Sequence, residues 1–270
     1  MILVEAMPLP LTILLPYFNE RGWLCRTIAS LAAQSEQRFH LLLIDNASTD
    51  GGVAEAEAAA AVFGARAIGM HVAEAGKTQA LAAALQQVHT PYVAVCDADT
   101  IYPPQYVANM LALFAANPAS VAVMAIDLHA AADQPASQRR IDRVLRKVRR
   151  RPWHCHAGGY AQAYRTSALK AAGGFDAARW GYVLEDHEIV QRVLRFGSAC
   201  YAPEHFCFPS ARRRDRRRVS WSGFERLVYR LTPRTGLDWF FYRFLAQRLQ
   251  ARSLQATVLR EKSWQPGPLR

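Results

Sequence analysis

The triplet Asp97-Ala98-Asp99 closes the apolar run Pro91-Tyr92-Val93-Ala94-Val95-Cys96. Side chains two apart on a strand point the same way, so the spacing predicts two carboxylates converging where a buried strand opens into a loop. Hard carboxylate oxygens suit Mg²⁺ or Mn²⁺, ions that often bridge protein carboxylates to substrate phosphates. Taken alone, an Asp-X-Asp pair reads more simply as the capping pair of a strand-to-helix loop; its company argues for a site. A second acidic cluster, Glu185-Asp186-His187-Glu188, starts an apolar-periodic helix running to Leu194. Carboxylates in a first helical turn offset the macrodipole, a role suited to Glu188, whereas one facing a reacting hydroxyl is a general base. Lys77 is one of few cations in its half of the chain. It follows Gly76 at a helix start, where backbone N–H groups favour an anion.

Such residues need a scaffold, and strand and helix patterns alternate through the first half. Leu11 to Leu15 reads as a buried strand closed by Pro16-Tyr17-Phe18-Asn19-Glu20, and Trp23 to Gln34 has apolar residues at helical spacing. Phe39 to Ile44 is a second strand, ending in the turn-rich Asp45-Asn46-Ala47-Ser48-Thr49-Asp50-Gly51-Gly52. A helix over Val53 to Phe63, a short strand over Ala65 to Val72, a helix over Lys77 to Val88, a strand over Tyr92 to Cys96 and a helix over Pro104 to Ala116 follow. Repeated strand-helix units predict an α/β fold with a largely parallel sheet and helices on its faces. Ligands of such sheets sit beyond the carboxyl ends of the strands, where Phe18, Asp45, Asp97 and Asp99 all fall.

The 270 residues carry a net charge of +11, unevenly spread. Residues 1–138 have 5 Lys and Arg against 12 Asp and Glu, and residues 139–270 have 28 against 10. An acidic half suits a metal-bridged site, and a basic half calls for phosphates, an anionic membrane surface or an acidic ligand. The longest apolar stretches fall short of the ~20 residues that span a bilayer. The N-terminus has no basic region ahead of an apolar one, so the expected location is cytoplasmic. Five scattered cysteines without a Cys-X-X-Cys pair predict reduced packing residues.

Six segments in order resemble the family-2 glycosyltransferases, inverting enzymes of GT-A fold that use nucleotide sugars. Pro16-Tyr17-Phe18-Asn19-Glu20 is similar to the family's P-x-[YF]-N-E, and Ile44 to Asp50 to its V-D-D-G-S-T-D loop. Gly76-Lys77-Thr78-Gln79-Ala80-Leu81 resembles its G-K-x-x-A-L helix start, and Asp97-Ala98-Asp99 its metal motif. Gly158-Gly159 with Gly173-Gly174-Phe175-Asp176 resembles the acceptor-side G-G…G-G-F-D stretch, and Glu185-Asp186 the pair holding the catalytic base. The resemblance implies a GT-A, Rossmann-like mixed sheet flanked by helices over residues 1–210, with 9–117 the nucleotide-sugar half and 118–210 the acceptor half. A basic, partly helical C-terminal extension would occupy 211–270. It implies Mn²⁺ or Mg²⁺ on Asp99 and Asp97, and a nucleoside-diphosphate sugar, a UDP-sugar first, against Pro16, Phe18, Glu20, Asp45, Lys77 and Asp97. Asp186 would be the base and Glu185 its neighbour orienting the loop or acceptor, with Gly158 and Gly159 on the acceptor side.

Ser210-Ala211-Arg212-Arg213 resembles the S-A-R-R of some non-processive relatives, placing Arg212 or Arg213 on the diphosphate. Processive relatives carry Q-x-x-R-W and membrane spans. Here Ser220 precedes Trp221 where the second basic residue would stand, which predicts a single addition, with Trp221 a candidate acceptor platform. Asn46 replaces the second Asp of V-D-D, bearing on the choice of base. Gln138 to Arg151 and Asp238 to Leu254 each have one apolar face among arginines. They read either as interfacial helices serving a lipid-linked or cell-envelope glycan acceptor at the cytoplasmic face of the inner membrane, or as helices packed on the domain. His154, Cys155 and His156 diverge on an extended segment and read as loop or packing residues. Asp97-Ala98-Asp99-Thr100 also fits the D-x-D-x-T of haloacid-dehalogenase phosphatases, though that motif follows the first strand of its fold. Arginine runs alone would suit a noncatalytic membrane- or nucleic-acid-binding protein; nucleic acid is the less expected partner, because it leaves the ordered carboxylates without a role.

Overall fold

The computed structural model describes residues 9–129, 134–210 and 220–258. Its centre is a seven-stranded sheet in the order β3-β2-β1-β4-β8-β6-β9. β1 (Leu11–Tyr17) and β2 (Phe39–Asp45) are almost continuously apolar because both of their faces are covered. They pair in parallel with each other, and further with β3 (Ala67–His71) on one side and β4 (Tyr92–Val95) on the other. The chain winds outward from β1 to β3 and then crosses back to lay β4 on the far side of β1. The strand order therefore reverses at β1/β4, the crevice where open α/β sheets take ligands.

β8 (Gln162–Arg165) departs from the parallel pattern, running antiparallel to both β4 and β6 (Ser120–Met124). Its first residue, Gln162, pairs with Val95 at the end of β4. Antiparallel pairing thus delivers the turn before β8, with Gly158 and Gly159, to the carboxyl end of β4. β9 (Ser198–Cys200) closes the sheet beside β6. A small sheet of β5 (Thr100–Ile101), β10 (Phe206–Pro209) and β7 (Ile126–Asp127) folds over that end.

Helices α1 (Leu24–Ala32), α2 (Gly52–Ala60), α3 (Lys77–Gln86) and α4 (Tyr106–Ala116) connect the first strands. α5 (Gln134–Arg150) lies over β7, burying Ile141 and Val144 against Ile126 and Leu128. α6 (Thr166–Ala171) and α7 (Glu185–Val193) follow β8. α8 (Gly223–Leu231) begins with a capping box, in which the Ser222 hydroxyl accepts the Glu225 N–H while Glu225 accepts the Ser222 N–H. A C-terminal helix over 237–251, π-helical at Phe240–Leu245, buries Phe240, Phe241, Leu245 and Leu249 against Trp180, Val183 and Tyr229.

This packing corrects the interfacial reading of the two arginine-rich helices, because their apolar faces are covered by the chain itself. Exposed apolar side chains include Phe224, Leu227 and Leu231, which share one face of α8, and Trp239 near the start of the C-terminal helix. Among the described residues no helix is long and apolar enough to cross a membrane.

Candidate active site

The parallel register aligns Tyr17 with Asp45 and Leu14 with Val95, so the loops after β1, β2 and β4 emerge together. Pro16 closes β1 within the core sheet, Phe18 is half-buried just beyond it, and Glu20 is buried in the next turn. Asn19, at φ 52°, accepts the Thr49 N–H and so ties the first loop to the second; asparagine tolerates this left-handed conformation. Asp45 is buried, accepting the Ser48 N–H at 3.0 Å on one oxygen and meeting His71 Nδ1 at 2.8 Å on the other. Asn46 has a job that aspartate lacks the donors for. Its amide donates to the carbonyls of Val72 and Glu74 while its oxygen accepts the Gly76 N–H, which shapes the loop that launches α3.

β4 ends at Val95, and Asp97 to Asp99 form a turn. The sequence-based expectation that a strand aims both carboxylates one way is therefore incorrect. Thr27 of α1 holds the turn, its buried hydroxyl 2.9 Å from the carbonyls of both Ala98 and Thr100. Asp97 meets Lys77 Nζ at 2.5 Å. Asp99 lines a separate cavity of about 250 Å³ with Trp23, Arg26, Phe208 and Ser210. Tyr102 links the turn to the segment before β8, accepting the Asp97 N–H and donating to the Tyr160 carbonyl, each at 3.0 Å. Neither Thr27 nor Tyr102 carries a sequence signal, since a hydroxyl inside an apolar stretch looks like packing.

Lys77 is the hub. Gly159 lies between it and Asp186, and a Cβ there would stand 3.3 Å from Lys77 Nζ and 3.2 Å from Asp186 Cβ. The Gly159 N–H donates to Asp186 Oδ2 and the His187 N–H to Oδ1, both at 2.9 Å. These bonds fix the carboxylate while each oxygen retains acceptor capacity. Burial works against the Lys77 ammonium, yet Asp97, Glu185 and Asp186 together hold its pKa above the ordinary lysine value. Burial, then the Asp186 charge, push the Glu185 carboxyl up to about 7. Leu184, immediately before, sits at φ 70°, a strained conformation for a branched residue that turns both carboxylates into the site.

Asp97 and Asp99 fit the donor chemistry of Mg²⁺ or Mn²⁺, which binds one or two carboxylates and takes its remaining oxygens from substrate phosphates and water. Among the described residues no three His, Cys, Asp or Glu side chains form a metal set of their own. Arg212 and Arg213 lie outside the described residues.

Beside Asp186 opens a cavity of about 630 Å³ walled by α5, α8 and the segment 154–160. Gly158, His187 and Trp221 line it, and the Trp221 ring stands edge-on to His187 at 4.7 Å between centroids. His154 and His156 each place Nε2 on a carbonyl, of Tyr229 and Arg151, in keeping with packing roles. Burial lowers His154 and His156 to about 4, and His187 and His205 to about 3. Between pH ~6.5 and ~4 the unfolded chain therefore binds protons that these four rings refuse, and stability falls as pH drops. Glu185 acts oppositely between its ordinary value and about 7, but with one proton against four. Urea unfolding is expected to show a lower midpoint at about pH 5 than at about pH 7, and equal midpoints would refute the burial of neutral imidazoles.

Residues 12–173 match the family described as Glycosyl transferase family 2. The chain also superposes on the mannosyltransferase PcManGT from Pyrobaculum calidifontis in complex with GDP-Man and Mn²⁺, with a TM-score of 0.63 and 17% identity over 94% of this chain and 69% of that one. For S. aureus TarS 1-349 in complex with UDP-GlcNAc the TM-score is 0.59 at 14% identity, covering 89% of this chain and 72% of the other. At these identities the likeness is one of fold. No curated protein matches the chain in sequence.

Proposed function

From the premise that the chain belongs to glycosyl transferase family 2, and is a glycosyltransferase, we propose that it moves one sugar, with inversion, from a nucleoside diphosphate to an acceptor hydroxyl. The observation that carries this reading is the meeting of Lys77, Asp97, Gly159 and Asp186 at the strand-order reversal. The acceptor oxygen attacks the anomeric carbon, the bond to the diphosphate breaks with its electron pair leaving on phosphate, and the hydroxyl proton passes to Asp186. Inversion by direct displacement needs no protein nucleophile. Lys77 lies where negative charge grows on the leaving group, and Asp97 holds it there. Asp97 and Asp99 would hold a divalent cation, whose chemistry is to neutralise that same diphosphate charge. The phosphatase reading of Asp97 and Asp99 gives way, since their turn follows the fourth strand and one partner of Asp97 is a lysine.

Asp45, as a carboxylate acceptor, suits a base presenting a ring N–H, uracil or guanine, with a UDP-sugar the expected donor. Thermal unfolding against UDP, GDP, ADP and CDP with Mn²⁺ tests this. One diphosphate at 100 times its Kd should stabilise the protein by ~2.7 kcal/mol, and Asp99→Asn should remove the Mn²⁺-dependent part. No shift with any of the four would overturn the donor site.

The acceptor is proposed to be a glycan or lipid-linked precursor met at an anionic membrane surface. The exposed Phe224, Leu227, Leu231 and Trp239 support peripheral binding through α8 and the start of the C-terminal helix. Sedimentation with vesicles containing anionic lipid is expected, and Leu227→Glu should abolish it. Equal sedimentation of wild type and variant would sink the assignment to α8.

A further inference from the structure

The cavity beside Asp186 is far more basic than sugar hydroxyls require. α5 and its following residue line it with Arg140, Lys147, Arg150 and Arg151, and α8 with Arg226 and Arg230. Six cations face one carboxylate, Asp127, which is already bound to Arg140 and His129. Among the described residues none of the other five cations has a carboxylate partner. Burial, then the charges of Arg140, Arg230 and Arg143, lower the Lys147 pKa against the smaller pull of Asp127, so like charges are crowded together there. Crowding of this kind is relieved when an anion binds, and bonds between cationic donors and phosphate oxygens are the strong class of hydrogen bond.

The cavity also offers neutral acceptors. His154 Nδ1 and His187 Nδ1 are buried without a hydrogen-bond partner, and His154 Nε2 meets a carbonyl, which leaves Nδ1 as a lone-pair acceptor. Gly158 and His187, the chain neighbours of Gly159 and Asp186, are in its wall, so the cavity adjoins the base. Its volume of about 630 Å³ falls in the range of small-molecule sites.

We infer that this cavity selects the acceptor by a phosphate ester, seated on Lys147, Arg226 and Arg230, with the acceptor's hydroxyls directed to His154, His187 and Asp186. The inference rests on the transferase reading and adds the acceptor's chemical class. The phosphate belongs either to a soluble sugar phosphate or to a lipid-borne glycan phosphate.

Calorimetric titration of the full chain, with nucleoside diphosphate and Mn²⁺ present, tests it with two matched pairs. Glucose 6-phosphate is compared with glucose, and dihexanoyl phosphatidic acid, kept below its micelle concentration, with dihexanoylglycerol. Wild type is expected to prefer a phosphorylated member by about ten- to a hundredfold, the range of hydrogen bonds to charged groups. Lys147→Gln/Arg226→Gln should bring the preference near unity, and Arg230→Gln alone should reduce it, with unfolding curves confirming that each variant folds. Preference in the sugar pair identifies a soluble phosphate, and preference confined to the lipid pair identifies a lipid-borne one. Equal affinity within both pairs, or a preference that survives the double substitution, overturns the inference. Failure of every nucleoside diphosphate to stabilise wild type is a separate result, which removes the transferase site itself.

Discussion

Asp186→Asn is expected to lower sugar transfer by about 10²–10⁴-fold, the usual range for one general base, with little change in donor binding. Asparagine keeps an oxygen for the Gly159 or His187 N–H that now orients the carboxylate, so the local fold survives while the proton acceptor is lost. The contrast is with Glu185→Gln. Glu185 is half-buried and raised to about 7 by burial and by the Asp186 charge, so near neutrality it takes up or releases a proton beside Asp186. In wild type, kcat/KM should rise with pH through about 7 as that proton leaves. In Glu185→Gln the rise should move to lower pH with a loss of about tenfold or less. Comparable losses in both variants would assign the base to the pair, and a larger loss in Glu185→Gln would move it to Glu185. Initial-rate profiles of the three proteins decide among these outcomes.

How far this site was legible depends on whether its contacts are local. β1, β2 and β4 stand out as apolar runs because the sheet buries both of their faces, and the glycines and carboxylates at their ends are motif residues whose spacing survives in any context. The Asp97 to Asp99 turn was misread because its shape depends on Thr27, some seventy residues away, and no spacing near the turn reports that contact. Gly159 reaches Asp186 only because β8 runs antiparallel to β4, a pairing invisible to helix or strand periodicity. The arginine-rich helices show the same limit. Periodicity reveals that a helix has an apolar face but not what covers it, and here Ile126, Trp180 and Tyr229 do. Asn46 illustrates the opposite case, a departure from the family's pattern that becomes intelligible once its amide is seen donating to two carbonyls.

Arg192→Met should be the most destabilising single change, costing about 3–5 kcal/mol. From sequence Glu188 reads as a carboxylate offsetting the α7 dipole, and an exposed i,i+4 pair with Arg192 would be worth only a few tenths of a kcal/mol. Burial changes the magnitude. The two side chains are 2% and 4% exposed and meet through two bonds, at 2.7 and 2.9 Å. Arg192 also donates to the Ala172 carbonyl, and Tyr242 of the C-terminal helix donates to Glu188. Removing the guanidinium leaves a buried carboxylate without its cation, which is why the cost far exceeds that of an exposed pair. For a chain of this size the melting temperature should fall by about 10 °C. Glu188→Met/Arg192→Met should recover part of the loss, because no charge is then stranded, but not all of it, because the Ala172 carbonyl and Tyr242 hydroxyl lose partners. Denaturant unfolding of both singles and the double closes the cycle. Losses that simply add would show that the two residues do not act as a pair. A double less damaging than Arg192→Met alone would show that the stranded Glu188 carboxylate, and not the packing lost with the guanidinium, carries most of the cost.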